Sequence, residues 1–260
     1  MAFIPEYRAA TGRAAGIAAV DTGLRAYMLR VYNWMASGLV LTGIVAYGIA
    51  ETSLRDLFYH AVTLQNAMGE TFSVMRPTAL GYLSIFAPLA FVMVLSFGVN
   101  RLSRTTAQAL FWAFCAVMGA SLTSIFFVYE QTSIVRVFFI TATMFAGMSL
   151  WGYTTRTDLT RFGSFLIMGL FGIVIAFVVN MFLHSQEVQF VASVIGVLVF
   201  TGLTAFDTQR IKLTYQNYLY AAGPDEAGKR SVYDALSLYL NFINLFMLLL
   251  QLTGTRSNNS

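Results

Sequence analysis

Charged residues are scarce in this sequence of 260 residues. Asp, Glu, Lys and Arg together make up 11% of it, whereas an ordinary soluble domain has about 25%. Hydrophobic residues make up 57%, a composition that does not fit a water-soluble globule. The single cysteine, Cys115, excludes an intramolecular disulfide and a cysteine-cluster metal site. The two histidines, His60 and His184, are too few for a three-histidine zinc site.

Long apolar runs are what the sequence has instead. Seven of them reach the roughly 20 residues that a helix needs to cross a bilayer. The predicted spans are residues 31–50, 79–99, 107–129, 132–153, 163–183, 189–211 and 233–253. The expected fold class is therefore an all-α membrane protein with seven transmembrane helices.

The segments outside these runs are short. Residues 1–30 are predicted to form a cytoplasmic disordered tail, and residues 254–260 a short outer tail. The longest loop, residues 51–78, is too polar to span a membrane and has room for one short interfacial helix. In the other sizeable connection, residues 212–232, the sequence Gly-Pro-Asp at 223–225 predicts a turn.

The Lys and Arg residues are distributed unevenly over the two sides of this seven-span arrangement. Twelve of the 16 fall on the side that carries the amino terminus. Because cytoplasmic loops of membrane proteins are enriched in Lys and Arg, we expect the amino terminus in the cytoplasm. The basic residues form no patch, so the net charge of +4 does not indicate a nucleic-acid partner.

Two predicted spans carry polar side chains that are costly in a bilayer, at about 2.5–3.5 kcal/mol for a charged group. Asp207 ends a small and polar stripe on the sixth span, which includes Thr204 one turn earlier. The last span carries five polar residues on one helical face: Asp234, Ser237, Asn241, Asn244 and Gln251. Two interpretations remain open. The stripe either forms hydrogen bonds that hold helices together, each stabilising the fold by about 0.6 kcal/mol, or it is part of an ion or proton site with Asp207.

Enzymatic chemistry finds little support in the residues. The two lysines, Lys212 and Lys229, both lie in the loop at 212–232, so no predicted span offers a lysine for a retinal Schiff base. An intramembrane aspartyl protease carries a Gly-x-Gly-Asp motif beside its Tyr-Asp pair, and only Tyr233-Asp234 is present. Phosphate-binding glycine loops and nucleophile elbows are also missing from the sequence. We expect neither an enzyme nor a bound cofactor.

Four stretches of the sequence carry a family resemblance: MGASLTSIFFVY, the run from FAGMSLWGY to VVNMFL, FTGLTAFDTQRIK and ALSLYLNFINLFMLLLQLTG. They resemble the Bax-inhibitor-motif family in its bacterial, YccA-like branch, from about Arg30 to Gly254. The resemblance implies a seven-helix fold in which the last helix is central and surrounded by the other six. It also implies a multi-pass protein of the bacterial inner membrane.

The resemblance further implies, for some members, a calcium leak regulated by pH through two aspartates on the sixth and seventh spans. One of these positions matches Asp207, which would be the calcium-binding carboxylate. The other matches Asn241, where relatives often carry aspartate. Asp234 lies seven residues earlier on the same face, about 10 Å nearer the cytoplasm. It is either a substitute second acid or a cap at the membrane surface.

Two functional hypotheses follow. The first is a pH-sensitive passive cation pathway, most readily for calcium, with Asp207 as the titrating group, Asn241 as an oxygen ligand or hydrogen-bond partner and Asp234 at the cytoplasmic mouth. Thr204, Ser237 and Asn244 are the candidate pore-lining residues. The alternative is a non-transporting regulator of another membrane protein, such as an FtsH-type membrane protease, bound through the amino-terminal tail.

Overall fold

The computed structural model describes residues 5–65, 71–98 and 102–257, and for residues 5–19, 72–73 and 96–98 it describes the backbone alone. Its long helices are α1 (Pro5–Glu51), α3 (Ala79–Gly98), α4 (Arg104–Leu122), α6 (Gln131–Thr154), α7 (Thr160–Leu183), α8 (Gln186–Thr214) and α10 (Pro224–Thr253). The short helices are α2 (Arg55–Phe58), α5 (Ile125–Val128) and α9 (Tyr220–Ala222), with a π-helical turn at Tyr215–Leu219. Strands β1 (Tyr59–Gln65) and β2 (Thr71–Pro77) complete the described elements.

Each of the seven predicted spans coincides with a long helix. Within the described residues, six of these helices are long and apolar enough to cross a membrane. The remaining one, α3, is apolar over Ala79–Leu95, which places it among the shorter helices. An all-α membrane fold is therefore established, with six such helices. The predicted third span, 107–129, is broken after Leu122 into α4 and α5.

The amino-terminal segment differs from the sequence-based expectation. Residues 1–30 were predicted to be disordered, whereas α1 begins at Pro5; residues 1–4 lie outside the described part. Leu24, Tyr27 and Met28 are buried in the hydrophobic core. These residues recur at a helical spacing of three and four, so they continue the apolar face of the first span by two further turns. Arg25 and Arg30 interrupt this segment and hid the continuation from a search for uninterrupted apolar runs.

The loop at 51–78 is more ordered than expected. The predicted short helix is present as α2, but half of the segment forms two antiparallel strands in which Tyr59 pairs with Pro77 and Gln65 with Thr71. Tyr59 is 2% exposed and packs edge-on against Phe127. The hairpin is thereby fixed to the end of the helical bundle by a large aromatic side chain.

At the same end of the bundle, part of the predicted outer tail is also ordered. The backbone N–H of Glu130 donates to the carbonyl of Thr255, and that of Ser257 donates to the carbonyl of Val128. These bonds hold residues 254–257 against the turn between α5 and α6. Residues 258–260 of the predicted tail lie outside the described part.

Helix α10 is the most buried of the six membrane-length helices. Two thirds of its most apolar stretch is inside the protein, and it packs against α1, α4, α6 and α8. By contrast, α7 packs chiefly on α8, and α3 on α4. The resemblance implied a last helix surrounded by the other six. In the structure four long helices form its main packing partners, and α3 and α7 lie outside them.

The connection at 212–232 is almost wholly helical, contrary to the expected loop. Helix α8 continues to Thr214 and passes through the π-helical turn into α9. The predicted turn is confirmed at Gly223, whose φ of 93° favours glycine, and Pro224 opens α10 at its first position. This tight reversal brings α8 and α10 together as antiparallel neighbours.

Candidate functional site

Asp207 of α8 is 6% exposed and is surrounded by hydrogen donors from α10 and from its own helix. Its Oδ2 accepts from the hydroxyl of Ser237 at 2.7 Å and from Nδ2 of Asn241 at 2.8 Å. Its Oδ1 lies 2.9 Å from Nη2 of Arg210, which is one turn further along α8. The same guanidinium nitrogen donates to Ser237 Oγ at 3.2 Å. The carboxylate is therefore fully paired in this conformation.

The close packing of α8 on α10 follows from the small residues of the α8 stripe. Ser193, Gly196 and Thr204 are buried together with Asp207 on the face that meets α10. At Gly196 an added Cβ would lie 2.7 Å from a Leu248 methyl group, so glycine allows that side chain to fill the interface. The small and polar stripe of the sixth span therefore faces α10.

A second buried carboxylate, that of Asp234, lies one turn before Ser237 on α10. Asp234 is 2% exposed and accepts a 2.6 Å hydrogen bond from the hydroxyl of Tyr27 on α1. Arg230 Nε lies 3.3 Å from its other oxygen. Asp234 is therefore not a cap at an exposed surface, and its role as a substitute second acid stays a prediction. It is a buried carboxylate that ties α1 to α10 beside the Asp207 cluster.

The predicted pore-lining residues divide into those that reach Asp207 and those that do not. Ser237 binds it directly. Thr204 is buried, but its hydroxyl donates to the carbonyl of Phe200 in its own helix. Asn244 is exposed, and its amide donates to the carbonyl of Leu240. The polar stripe of the last span is therefore interrupted at Asn244, which is exposed.

Polar contacts between α8 and α10 accordingly lie in two separate places. The first is the Asp207 cluster. The second, ten residues further along α10, is a 3.2 Å hydrogen bond from Ser193 Oγ to Gln251 Oε1. Between them lies an apolar section, in which Phe200 and Leu248 are buried and the Thr204 hydroxyl is bonded to its own helix. At 1.5 Å per residue this apolar section is about 15 Å long.

A family profile described as inhibitor of apoptosis-promoting Bax1 matches residues 24–258. The chain belongs to the Bax inhibitor family. It is 42% identical over 234 residues to the inner membrane protein YbhL of Escherichia coli K12, covering 90% of this chain and 93% of YbhL. An uncharacterized protein of Rickettsia prowazekii is 44% identical over 237 residues, which cover 91% of this chain and 92% of that protein. An uncharacterized membrane protein of Streptococcus pyogenes is 32% identical over 234 residues, covering 90% and 94%.

These matches confirm the family resemblance, and together with the apolar helices they establish an integral protein of the inner membrane. For this Bax inhibitor family member, the position opposite Asp207 carries Asn241. An amide donates to the carboxylate where a second carboxylate would repel it. The pair is consequently held by a hydrogen bond that needs no shared proton.

Three partners of the two aspartates were not singled out from the sequence. Arg210 lies at i+3 from Asp207, and Arg230 at i−4 from Asp234. Such spacings are a recognised signal for ion pairs along a helix. Tyr27 gave no comparable signal, because its contact joins residues 207 positions apart. Only the packing of α1 on α10 reveals it.

Two further side chains of α8 hold the connection between α6 and α7. The Gln209 amide accepts from the backbone N–H of Leu159 and donates to the carbonyl of Thr157, both at 2.8 Å. The Lys212 ammonium donates to the carbonyl of Tyr153 at 2.8 Å. The last two turns of α8 therefore fix this connection next to the Asp207 cluster. Within the connection, hydrogen bonds from Thr160 hold the pKa of Asp158 below its usual range.

The hydrogen-bond donors around Asp207 limit its capacity to bind a metal ion. Among the described residues, no group of three His, Cys, Asp or Glu side chains could hold a metal ion. Both Asp207 oxygens face donors, whereas calcium takes six to eight oxygen ligands. The calcium-binding role predicted for Asp207 therefore needs a conformation other than this one, and calcium stays a predicted cargo.

Proposed function

We propose that this protein is a non-enzymatic, passive cation pathway in the inner membrane, with calcium as the expected cargo and Asp207 as its ion-binding and titrating group. The proposal includes seven spans with the amino terminus in the cytoplasm. The observation that carries it is a buried carboxylate next to a hydroxyl and an amide at the interface of two membrane-length helices. Ionisable groups inside a bilayer are costly and most often mark ion or proton paths.

The proposed resting state is closed for two physical reasons. Arg210 neutralises Asp207, and a cation cannot bind an oxygen that already faces a guanidinium at 2.9 Å. Beyond this cluster the apolar section around Phe200 and Leu248 offers no polar group to replace water around an ion. Opening would need both a displaced Arg210 and a separation of α8 from α10.

Arg210 is suited to such a displacement, because 43% of its side chain is exposed while that of Asp207 is 8% exposed. With the guanidinium away, the Asp207 carboxylate, Ser237 Oγ and the carbonyl oxygen of a rotated Asn241 amide would face the pathway. All three are hard oxygen ligands of the kind that calcium prefers.

The proposed pH sensitivity arises from the same ion pair. Protonating Asp207 removes the negative charge that holds Arg210 and weakens the two hydrogen bonds that the carboxylate accepts from α10, so acid would loosen the contact between the two helices. The other charged groups near this pair are Asp234 and Arg230 on α10, and the Tyr27 hydroxyl reaches Asp234 from α1. Asp234 accepts from α1 and pairs within α10, whereas Asp207 accepts hydrogen bonds across the interface between α8 and α10, so Asp207 is the proposed sensor.

The test is calcium flux into dye-loaded proteoliposomes at several values between about pH 5 and 8, where folded proteins usually stay stable. We expect a pH-dependent leak that Asp207→Asn abolishes or makes independent of pH. Arg210→Gln should raise the leak, because it removes the neutralising partner. Asp56→Asn, whose carboxylate in α2 is 77% exposed, is the matched control and should behave as wild type. Unaltered flux in Asp207→Asn at every pH would refute the proposal.

A correctly folded wild-type protein without any leak would instead favour the alternative, in which the protein regulates a membrane protease of the FtsH type. Deleting the amino terminus and measuring co-purification with the protease tests that alternative. The structure limits the deletion to residues 2–19, because a cut through residue 25 would remove the buried Leu24 and damage the fold. Binding retained by this variant would contradict recognition through that segment.

A further inference from the structure

A long apolar groove runs between α1 and α6, with Phe242 of α10 as its floor. Its volume is about 620 Å³, well within the range of about 300–1,000 Å³ for small-molecule sites. Both helices pack against α10, and a hydrogen bond between Tyr32 and Ser149 joins them within the groove. Small side chains keep the groove open at Ala36, Ala142 and Ala146.

The length of the groove matches one leaflet of a membrane. On α1 it extends from Arg25 to Leu39, and on α6 from Tyr153 back to Phe138. The fourteen steps from Arg25 to Leu39 cover about 21 Å at 1.5 Å per residue. A whole bilayer with its headgroups is about 40–45 Å thick, so one leaflet has the same depth as the groove.

Charge is confined to one end of this groove. Arg25 is exposed there, it forms no ion pair within the described part of the chain, and no carboxylate lines the groove. The Lys212 ammonium lies 5.3 Å from the ring centroid of Tyr153, which lines the same end. An exposed arginine at headgroup depth, at the end where Lys212 contacts the Tyr153 ring, complements a phosphate, while the remaining lining complements hydrocarbon.

We propose that this groove binds one anionic phospholipid from the leaflet on the Arg25 side. The phosphate lies at Arg25 and the Tyr153 end, and an acyl chain follows the groove towards Leu39 and Phe138. The exposed apolar rims, Leu29 and Leu150, cover the chain from the surrounding bilayer. A groove that opens sideways into the membrane allows a lipid to enter without leaving its leaflet. The proposal is independent of any ion pathway.

The experiment is a lipid titration of the purified full-length protein in mild detergent, followed by native mass spectrometry. We expect one phosphatidylglycerol to be retained in preference to phosphatidylcholine. Arg25→Gln should weaken its retention about tenfold, the effect of losing one charged hydrogen bond. Arg30→Gln is the charge-matched control on the same helix, outside the residues that line this groove, and should retain the lipid.

Two variants test the apolar part of the groove. Ala146→Phe fills it and should exclude the lipid, whereas Val178→Phe on the outer face of α7, where Val178 is 50% exposed, should not. Should Ala146→Phe fail to fold, a photoreactive acyl chain on wild-type protein gives the same information. Cross-links on α1 and α6 are expected.

Three results would overturn the proposal. They are equal retention of phosphatidylglycerol and phosphatidylcholine, equal losses in Arg25→Gln and Arg30→Gln, and cross-links spread evenly onto α7. A dimer whose interface covers Leu29 and Leu150 would also overturn it, since a second copy would then occupy the groove.

Discussion

The contact between Tyr27 and Asp234 offers the sharpest test of how this fold is held together. Tyr27→Phe removes one hydroxyl group and nothing else. The ring keeps its stacked contact with Tyr215, whose centroid is 4.9 Å away. The change leaves Asp234, at 2% exposure, with Arg230 as its remaining charged partner.

The expected loss of stability depends on which of two typical hydrogen-bond energies applies. Hydrogen bonds between membrane helices average about 0.6 kcal/mol, whereas hydrogen bonds to charged groups contribute about 1.5–3 kcal/mol. The larger range should apply here, because the acceptor is a buried carboxylate with a donor at 2.6 Å. We therefore expect Tyr27→Phe to lower the free energy of unfolding by about 1.5–3 kcal/mol.

The assay is reversible denaturant unfolding in micelles, read by far-ultraviolet circular dichroism. Tyr47→Phe is the matched control on the same helix, since Tyr47 is 52% exposed, and it should change stability by less than about 0.5 kcal/mol. A double-mutant cycle with Asp234→Asn should return a coupling energy of about 1 kcal/mol or more. The reasoning fails if Tyr27→Phe costs about 0.6 kcal/mol or less, or if the two substitutions are additive.

Three further predictions concern α6, α8 and the connection between α6 and α7. An added Cβ at Gly152 would overlap the α8 backbone, so Gly152→Ala should lower the free energy of unfolding in denaturant by about 1–3 kcal/mol. Gly147→Ala is the control and should not lower it, because a Cβ there meets open space. Gln209→Ala should raise hydrogen exchange and proteolysis of residues 155–159, because it removes two bonds that hold them. Thr160→Val should raise the lowered pKa of Asp158 towards its usual value, measured by carboxyl NMR. The stabilising contribution of Asp158 is present above its ordinary pKa and lost as pH falls through the lowered one.

The helices were predictable where apolar residues are uninterrupted. All seven runs became long helices, because a run of apolar residues in a bilayer can satisfy its backbone only as a helix. The ends were harder to predict. Helix α10 begins nine residues before the predicted boundary of 233, since Pro224 and the acids that follow it favour a helix start without being apolar.

The hairpin at 59–77 illustrates a different difficulty. Its strands pair residues across a polar segment, and the hydrophobic pattern there is weak except at Tyr59, which is buried against Phe127. That contact is distant in the sequence. A strand whose buried side chain packs against a distant aromatic residue leaves little local signal.

In the candidate site, too, local features were predictable and contacts between distant residues were not. The sequence by itself determined the membrane class, the family and the inward faces of Asp207 and Asn241, because composition and helical spacing are local properties. Only the tertiary structure decided that Asp234 pairs with Tyr27 and that Asn244 is exposed. It also opened a groove between α1 and α6. These features depend on the angle and distance at which separate helices meet, and the side-chain volumes at each interface set both quantities only when all the helices are packed.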